Sequence, residues 1–235
     1  MNRPMPIRAV FFDLFHTLVD VDAAPGEPTS AILGVDPEAW IRKVFEHSPH
    51  HALGEIADPY ESLRRIAHSI DPAVPEDRIR KAVRVRRSRF RHAIMNPPAE
   101  TLDLLRSVRF LDLMIGLISN ASLDEVEAWP DSKLAPFFDG VFFSCREKLM
   151  KPDPRIFDHA AAALGVETAR SVFVGDGGSR EHEGARAAGM RTILFLELLQ
   201  RTAPDRARER DREVDWIIAS SNELASLLRS LALSS

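Results

Sequence analysis

Four groups of polar residues have types that would do chemistry together. They are Asp13, the pair Ser119 and Asn120, the single Lys151, and the pair Gly175 and Asp176. Three of the four groups directly follow a short apolar run, which is where an open parallel sheet presents its catalytic side chains. At one edge of a sheet they would supply an anionic nucleophile, hydroxyl and amide donors, a fixed cation and a second carboxylate.

This set of groups suits displacement at a phosphoryl group. A carboxylate such as Asp13 can attack phosphorus while Ser119 and Asn120 hold the phosphoryl oxygens. The ammonium of Lys151 would offset the charge that develops on those oxygens, and paired carboxylates would hold Mg²⁺.

Each residue alone also has an ordinary structural interpretation. Ser, Asn and Asp are common in turns and at the starts of helices, and a lysine is usually solvated. The chemical hypothesis therefore depends on the combination of residues and on the elements that position them.

Those elements are short apolar strands that alternate with helices. Strands are predicted over residues 9–12, 113–118, 140–143, 171–174, 192–195 and 215–218, and a closing helix over 222–231. The run 9–12 is too short for a helix and suits a strand buried on both faces. The alternation predicts an α/β fold with a doubly wound parallel sheet.

The long stretch between the first two strands is predicted to be helical. Its helices begin at prolines, each followed by apolar residues at helical spacing: Pro37, Pro59 and Pro75. Residues 24–30 are predicted to form a loop. We therefore expect a core of residues 1–19 and 96–235, interrupted by an all-helical insert over residues 20–95.

Composition limits the classes of partner. The net charge of −4 gives no reason to expect nucleic acid, and no apolar run approaches the roughly 20 residues that a membrane helix needs. Cys145 is the single cysteine, which excludes an internal disulfide. With no signal-peptide pattern before the first strand, these features predict a cytoplasmic protein that binds neither nucleic acid nor membrane.

The order of the polar groups resembles that of the haloacid dehalogenase superfamily of hydrolases. The first three motifs are matched by Asp13-Leu-Phe-His-Thr17, Ser119-Asn120 and Lys151-Pro-Asp-Pro154. The fourth motif runs from Gly175-Asp176 through Glu181 to Gly184-Ala185. The resemblance spans the whole chain and implies a Rossmann-like core with a helical, C1-type cap inserted after the first strand.

The resemblance also implies a role for each matching residue. Asp13 would be the nucleophile that forms an aspartyl phosphate, and Lys151 would pair with it and with the phosphoryl group. Ser119 and Asn120 would bind phosphoryl oxygens, and Thr17, counted with them as substrate-binding, would support the nucleophile loop. The implied Mg²⁺ ligands are the carboxylates of Asp13, Asp176 and Glu181 and the main-chain carbonyl of Phe15.

The chain departs from the superfamily at Phe15. Phosphatases of the superfamily have an aspartate there, whose general acid–base help is worth about 10²–10⁴ in rate. Three hypotheses follow. The substrates could be acyl or aryl phosphates, whose good leaving groups need little protonation. His16, with an unperturbed pKa of about 6.5, could substitute for the missing aspartate, or the protein could be a dehalogenase-like hydrolase that acts at carbon. Alternation along the loop argues against His16, because it predicts that His16 points away from the side of Phe15.

The fourth motif favours a phosphatase. Dehalogenases of the superfamily need no metal and usually lack the Gly-Asp pair, whereas this sequence has Asp176 and Glu181, which would repel Asp13 without a cation. We expect a Mg²⁺-dependent phosphatase acting on a small phosphorylated metabolite, as a monomer or homodimer. A 2-haloacid dehalogenase is the alternative. A catalytically lapsed binding module is the third hypothesis, and the retention of Lys151 counts against it.

Charged clusters outside the motifs have competing interpretations. The last helix of the insert is rich in arginine; a solvated face is favoured, and the alternative is that Arg86 or Arg87 binds an anionic substrate tail. Residues 201–213 are so charged that we expect a solvated loop or helix end. Three histidines are expected in a loop, without metal-binding partners at suitable spacing: His47, His50 and His51.

Overall fold

The computed structural model describes residues 5–233, apart from the side chains of Phe45, Ser48 and Pro49. Residues 1–4 and 234–235, which the sequence assigned to the core, lie outside the described residues. Within residues 5–233, none of the helices combines the length and apolar character that crossing a bilayer requires.

Six parallel strands form one sheet. They are β1 (Ala9–Phe12), β2 (Met114–Ser119), β3 (Gly140–Phe143), β4 (Ser171–Gly175), β5 (Arg191–Phe195) and β6 (Trp216–Ile218). Their order in the sheet is β3-β2-β1-β4-β5-β6, so the first strand of the chain lies between two that come much later. The predicted α/β fold with a doubly wound parallel sheet is confirmed.

The strand β1 is buried along its whole length. Val10 pairs in register with Ile115 of β2 on one side and with Val172 of β4 on the other. Because successive side chains of a strand point to opposite faces, Phe11 and Phe12 enter different hydrophobic clusters. Both faces of the sheet are therefore covered, as the uninterrupted apolar run predicts.

Helices cover the two faces of the sheet and form the insert. They are α1 (Thr29–Leu33), α2 (Pro37–Ala52), α3 (Pro59–Ile70), α4 (Glu76–Met95), α5 (Ala99–Arg109), α6 (Ser144–Glu147), α7 (Pro154–Ala163), α8 (Glu181–Ala187), α9 (Glu197–Thr202), α10 (Pro204–Arg208) and α11 (Ser221–Leu233). Apolar side chains of α5 and α11 pack on one face, and those of α7 and α8 pack on the other.

The helices α1 to α4 have a hydrophobic cluster of their own, and α4 also reaches the sheet. Ile79 and Ala82 near the start of α4 belong to the cluster of the four helices. Phe90 and Ile94 near its end are buried in the core against the sheet. The helix α4 thus joins the two clusters.

The helix α1 begins inside the stretch 24–30 that was predicted to be a loop. It has five residues and no side-chain cap, and two of its residues, Ile32 and Leu33, are buried among the other insert helices. A helix this short depends on tertiary packing more than on propensity, so the local sequence gave no signal for it.

The histidine stretch is helical, and the predicted loop there is wrong. All three histidines lie in α2, which ends at Ala52. The Nδ1 atom of His51 lies 2.6 Å from Ser62 Oγ, and that of His50 lies 2.5 Å from Glu55 Oε2. These side-chain contacts stabilise the end of α2, because histidine by itself has only a moderate helix propensity.

The charged stretch 201–213 is also more ordered than expected. It contains the end of α9 and the whole of α10. Ala207 of α10 is buried against Leu199 of α9 in a small cluster beside β5. The apolar residues spaced among the charges account for this packing.

A buried ion pair ties α4 to the loop that follows β2. Arg86 of α4 donates to Glu125, which is almost fully buried. Burial opposes the charged form of Glu125, but Arg86 and His51 outweigh it and hold the pKa of that carboxyl at about 2. The next arginine, Arg87, pairs with Glu127 on the exposed surface.

Replacing Glu125 should destabilise the protein far more than replacing Glu127. At pH 7, Glu125→Gln should cost about 3–5 kcal/mol, because it leaves Arg86 buried without its partner. The pKa of Glu125 is lowered by folding, so its contribution is present above about pH 4.5 and is lost as the pH falls toward about 2.

Urea denaturation at pH 7 and pH 3 measures this difference. The gap between wild type and Glu125→Gln should narrow at pH 3. Glu127→Gln is the matched control and should cost less than about 1 kcal/mol, because its ion pair is exposed. Equal losses in the two variants would contradict the assignment.

Candidate active site

The carboxyl edge of the sheet brings together polar residues that are far apart in the sequence. Asp13 follows β1, Ser119 ends β2, Asp176 follows β4 and Glu181 begins α8. With Lys151 they line a cavity of about 850 Å³ that residues of α2 and α4 line on its other side. The geometry at this edge therefore gathers the predicted site residues around one space.

Lys151 lies at the centre of this network. Its Nζ donates to Asp13 Oδ1 and to Glu181 Oε2, both at 2.6 Å, and 2% of the residue is exposed. Burial opposes a charged lysine, but the two carboxylates outweigh it and raise the pKa of Lys151 above its usual range. The ammonium is therefore charged at neutral pH and fixes two carboxylates that come from distant parts of the chain.

Three hydrogen bonds hold Asp13 at the cavity wall. Its N–H donates to the carbonyl of Val174 in β4 at 2.9 Å. The hydroxyl of Thr17 donates to Oδ2 at 3.3 Å, while Lys151 holds Oδ1. Charge-assisted contacts of this kind fix the orientation of the carboxylate.

Glu181 reaches the network because a glycine leaves room for it. Its Oε1 accepts the N–H of Gly177 at 2.9 Å. A Cβ atom at Gly175 would lie 2.2 Å from the same oxygen, so any larger residue there would displace the Glu181 carboxylate. Gly175 of the fourth motif thus leaves the space that the Glu181 carboxylate occupies.

Three carboxylates converge beside Lys151. Asp13, Asp176 and Glu181 each offer an oxygen within 4.8 Å of the others. Burial, reinforced by the other two carboxylates, outweighs Lys151 and raises the pKa of Glu181 above its usual range. Carboxylate oxygens are ligands that Mg²⁺ prefers, and a cation would relieve their mutual repulsion. The residues present therefore fit a divalent metal ion.

The side chain of Asn120 is engaged by the main chain of Lys151. The N–H of Lys151 donates to Asn120 Oδ1, and Asn120 Nδ2 donates to the carbonyl of Lys151, both at 2.8 Å. Positioning Lys151 accounts for both polar atoms, a role that the sequence did not suggest because it depends on two loops meeting. Binding of phosphoryl oxygens by Asn120 stays a prediction.

Ser119 is in the opposite situation. Its Oγ is fully buried, lines the cavity and has no hydrogen-bond partner among the described residues. Leaving a buried hydroxyl unpaired costs about 1–3 kcal/mol. A ligand oxygen in the cavity would recover that free energy.

Arg210 is a site residue that the sequence analysis missed. Its guanidinium pairs with Asp176 and lines the cavity. It lies in the stretch 201–213, from which Arg206 also reaches Asp22 at 2.9 Å. A run of charged residues does not indicate which of its side chains points toward the cavity, so Arg210 could be identified only from the tertiary structure.

Phe15 and His16 line the same cavity, so the prediction that they lie on opposite sides is wrong. The φ angle of His16 is +63°, which breaks the strand-like alternation. Its Nδ1 lies 4.0 Å from Asp20 and 3.8 Å from Asp22. Phe15 contacts Phe90 of α4 edge to face, with 5.0 Å between ring centroids, so an apolar wall stands near the nucleophile.

A family model described as haloacid dehalogenase-like hydrolase matches residues 7–189. The chain belongs to this family. The matched range contains the whole network around Lys151 except Arg210, which is a feature of the chain beyond the family model. The predicted resemblance to the haloacid dehalogenase superfamily is confirmed, and the chain is a hydrolase of that family.

Relatives within this hydrolase family carry two kinds of name. The glyceraldehyde 3-phosphate phosphatase of Methanopyrus kandleri is 28% identical over 96% of this chain and 99% of its own. The (S)-2-haloacid dehalogenase of Pseudomonas sp. (strain YL) is 25% identical over 96% of each chain. The structure of L-2-haloacid dehalogenase from Xanthobacter autotrophicus covers 95% of this chain and 98% of its own, with a TM-score of 0.67 and 20% identity. The structural likeness supports the fold.

Removing the side chain of Asn120 should loosen the Lys151 loop. Asn120→Ala deletes two buried or half-buried hydrogen bonds and should cost about 1–3 kcal/mol of unfolding free energy. Asn96→Ala is the control, because the exposed Asn96 makes one bond to the carbonyl of His92, and its loss should cost less than about 1 kcal/mol. Denaturant titration compares them, and a smaller loss at Asn120 than at Asn96 would refute the positioning role.

Proposed function

We propose that this hydrolase is a Mg²⁺-dependent phosphatase that acts on a small phosphorylated metabolite through an aspartyl phosphate at Asp13. The observation that carries the proposal is the buried carboxylate trio beside Lys151, with oxygens within 4.8 Å of one another. A dehalogenase that acts at carbon needs no metal ion, and therefore needs no group of three carboxylates to bind one. The relatives named glyceraldehyde 3-phosphate phosphatase support a phosphorylated substrate.

The proposed reaction has two displacements at phosphorus. An oxygen of Asp13 attacks phosphorus, the bond to the leaving oxygen breaks, and that oxygen takes up a proton. Water then attacks the phosphorus of the aspartyl phosphate, which frees Asp13 and releases inorganic phosphate. Lys151 offsets the charge on the phosphoryl oxygens, and the unpaired hydroxyl of Ser119 donates to one of them.

The proposed Mg²⁺ ligands are Asp13, Asp176 and Glu181, with the main-chain carbonyl of Phe15 as a further one. When bound, Mg²⁺ would supply positive charge beside the phosphoryl oxygens. The chain itself supplies the fixed orientation of Asp13 by Thr17 and Lys151.

We assign the substrate pocket to two parts of the chain. Residues 1–19 and 96–235 would form the catalytic core, and residues 20–95 a cap whose helices α2 and α4 close the cavity. A cap of this kind excludes water and selects substrates. A cytoplasmic location and a monomeric or homodimeric state stay predictions from the sequence.

The aspartyl mechanism predicts a metal-dependent activity that Asp13→Asn abolishes. Wild-type protein should release p-nitrophenol from p-nitrophenyl phosphate with Mg²⁺ and stop in EDTA. Loss of a nucleophile costs about 10⁴–10⁶ in kcat. The control Asp58→Asn should stay active, because asparagine caps α3 as well as aspartate does.

The same assay separates the alternatives. Phe15, where a phosphatase of the family would have aspartate, is the observation that favours a 2-haloacid dehalogenase. Chloride release from 2-chloropropionate, with no phosphate release from aryl, acyl or alkyl phosphates, would replace the phosphatase with that enzyme. No turnover of either kind would leave a binding module.

His16 is the residue of this chain that we assign to proton transfer in place of the missing aspartate. It lines the cavity with Asp13, and the carboxylates of Asp20 and Asp22 lie near its Nδ1, which has no hydrogen-bond partner within the described chain. Histidine is the side chain that most often serves in such proton transfers.

Replacement of His16 should slow the hydrolysis of a substrate more, the more its leaving group needs a proton. His16→Gln should lower kcat/KM for an alkyl phosphate by about 10²–10⁴ and affect an aryl phosphate far less, because a phenolate leaves without protonation. The control is His92→Gln, which changes an exposed histidine of α4. Equal losses for both substrates would remove His16 from this role.

A further inference from the structure

The far side of the cavity contains arginines of α4. Arg86 and Arg89 line it together with the apolar side chains of Trp40, Val44 and Phe90. These residues belong to α2 and α4, whereas Asp13 and Lys151 lie at the carboxyl edge of the sheet. A cation on α4 is therefore a candidate for contacting the part of a substrate that does not react.

The cavity's other cations are already matched by carboxylates. Lys151 pairs with Asp13 and Glu181, Arg206 pairs with Asp22, and Arg210 pairs with Asp176. On α4, Arg86 pairs with the buried Glu125, and Arg87 pairs with Glu127 outside the cavity. The two arginines that the sequence nominated for an anionic tail therefore have partners within the protein.

Arg89 differs from all of these. Its Nη2 donates to the main-chain carbonyl of Val21 at 2.9 Å. Its Nε is buried without a hydrogen-bond partner, as are those of Arg86 and Arg210, so the difference is that Arg89 has no carboxylate partner. Among the described residues, none of the ion pairs includes Arg89. Its side chain is half-buried, is oriented by one contact with a neutral carbonyl, and has no carboxylate within ion-pair distance in the described part of the chain.

An uncompensated guanidinium in a partly desolvated cavity attracts an anion strongly. Its donors are arranged in a planar fork that fits a carboxylate or a phosphoryl group. The apolar side chains beside it lower the local dielectric constant, which strengthens that attraction. The bond to Val21 fixes where the fork lies.

We propose that Arg89 binds a second anionic group of the substrate, so that the substrate is a phosphomonoester whose tail ends in a carboxylate or another phosphoryl group. This assignment rests on the proposed phosphatase function for the reacting end. It adds the substrate class and the residue that selects it. Arg89 is a specificity residue and takes no part in the displacement at phosphorus.

Arg89 also has a structural neighbour that the test must take into account. A Cβ atom built at Gly26 would lie 3.4 Å from Arg89 Cδ, so the aliphatic part of the arginine packs against that loop. A purely structural role would change stability and would weaken all ligands alike. Selective loss of binding to ligands with a charged tail is the readout that separates the two roles.

The experiment measures binding of phosphonates, which are not hydrolysed, to wild type, Arg89→Gln and the control Arg87→Gln. The probes are alkylphosphonates and the matching phosphonocarboxylates and alkylene bisphosphonates of increasing chain length, titrated calorimetrically in one Mg²⁺ buffer. Wild type should bind at least one doubly anionic probe about 10- to 100-fold more tightly than the alkylphosphonate of equal length. Arg89→Gln should lose that preference, and Arg87→Gln should keep it.

Each outcome decides the proposal. No preference in wild type, or the same preference in Arg89→Gln, overturns it. Tighter binding of the phosphonocarboxylates would indicate a substrate tail that ends in a carboxylate. Tighter binding of the bisphosphonates would indicate a tail that ends in a second phosphoryl group. If Arg89→Gln fails to fold, Arg89→Lys, which keeps the charge and the aliphatic stem but not the fork, should reduce the preference, and an unchanged preference overturns the proposal. The readout needs no turnover, so an inactive protein with an Arg89-dependent preference would reject the phosphatase and keep the anion site.

Discussion

One buried ammonium organises the site. Lys151 touches carboxylates from the loop after β1 and from the start of α8, and its own main chain is held by the amide of Asn120. Without Lys151, the buried carboxylates of Asp13 and Glu181 would repel each other in a medium of low dielectric constant, since Arg210 pairs only with Asp176. The positions of β1, β4 and α8 at this edge are therefore compatible because a cation lies among them.

The cavity has two ends with different physical character. The end at the sheet is charged, and its geometry is fixed by strand register, as in the pairing of Phe12 with Leu117 and Val174. The end at α2 and α4 is largely apolar and rests on the packing of helices. The helix α4 contributes to both hydrophobic clusters, and Arg86 fastens it to the loop after β2. The helix α4 thus connects the two ends of the cavity.

The sequence predicted what local patterns encode. Apolar runs bounded by polar residues located all six strands, and the motif residues Asp13, Lys151 and Asp176 meet at one sheet edge as expected. The engagement of Asn120 and the inward turn of Arg210 could not be predicted, because each depends on a contact between loops that are remote in sequence. The placement of His16 beside Phe15 was also missed, since a positive φ at a non-glycine residue leaves no trace in the pattern.

The central position of β1 has a consequence for how the chain folds. Its neighbours in the sheet begin at residues 114 and 171, so every contact along its two edges closes a long loop. Such non-local pairing slows folding and leaves an apolar segment unpaired while the rest of the chain is synthesised. We therefore expect the helices of the insert, whose contacts are more local, to form before this pairing. In that order of events, the nucleophile loop at Asp13 would acquire its geometry late, once β4 has docked beside the first strand of the chain.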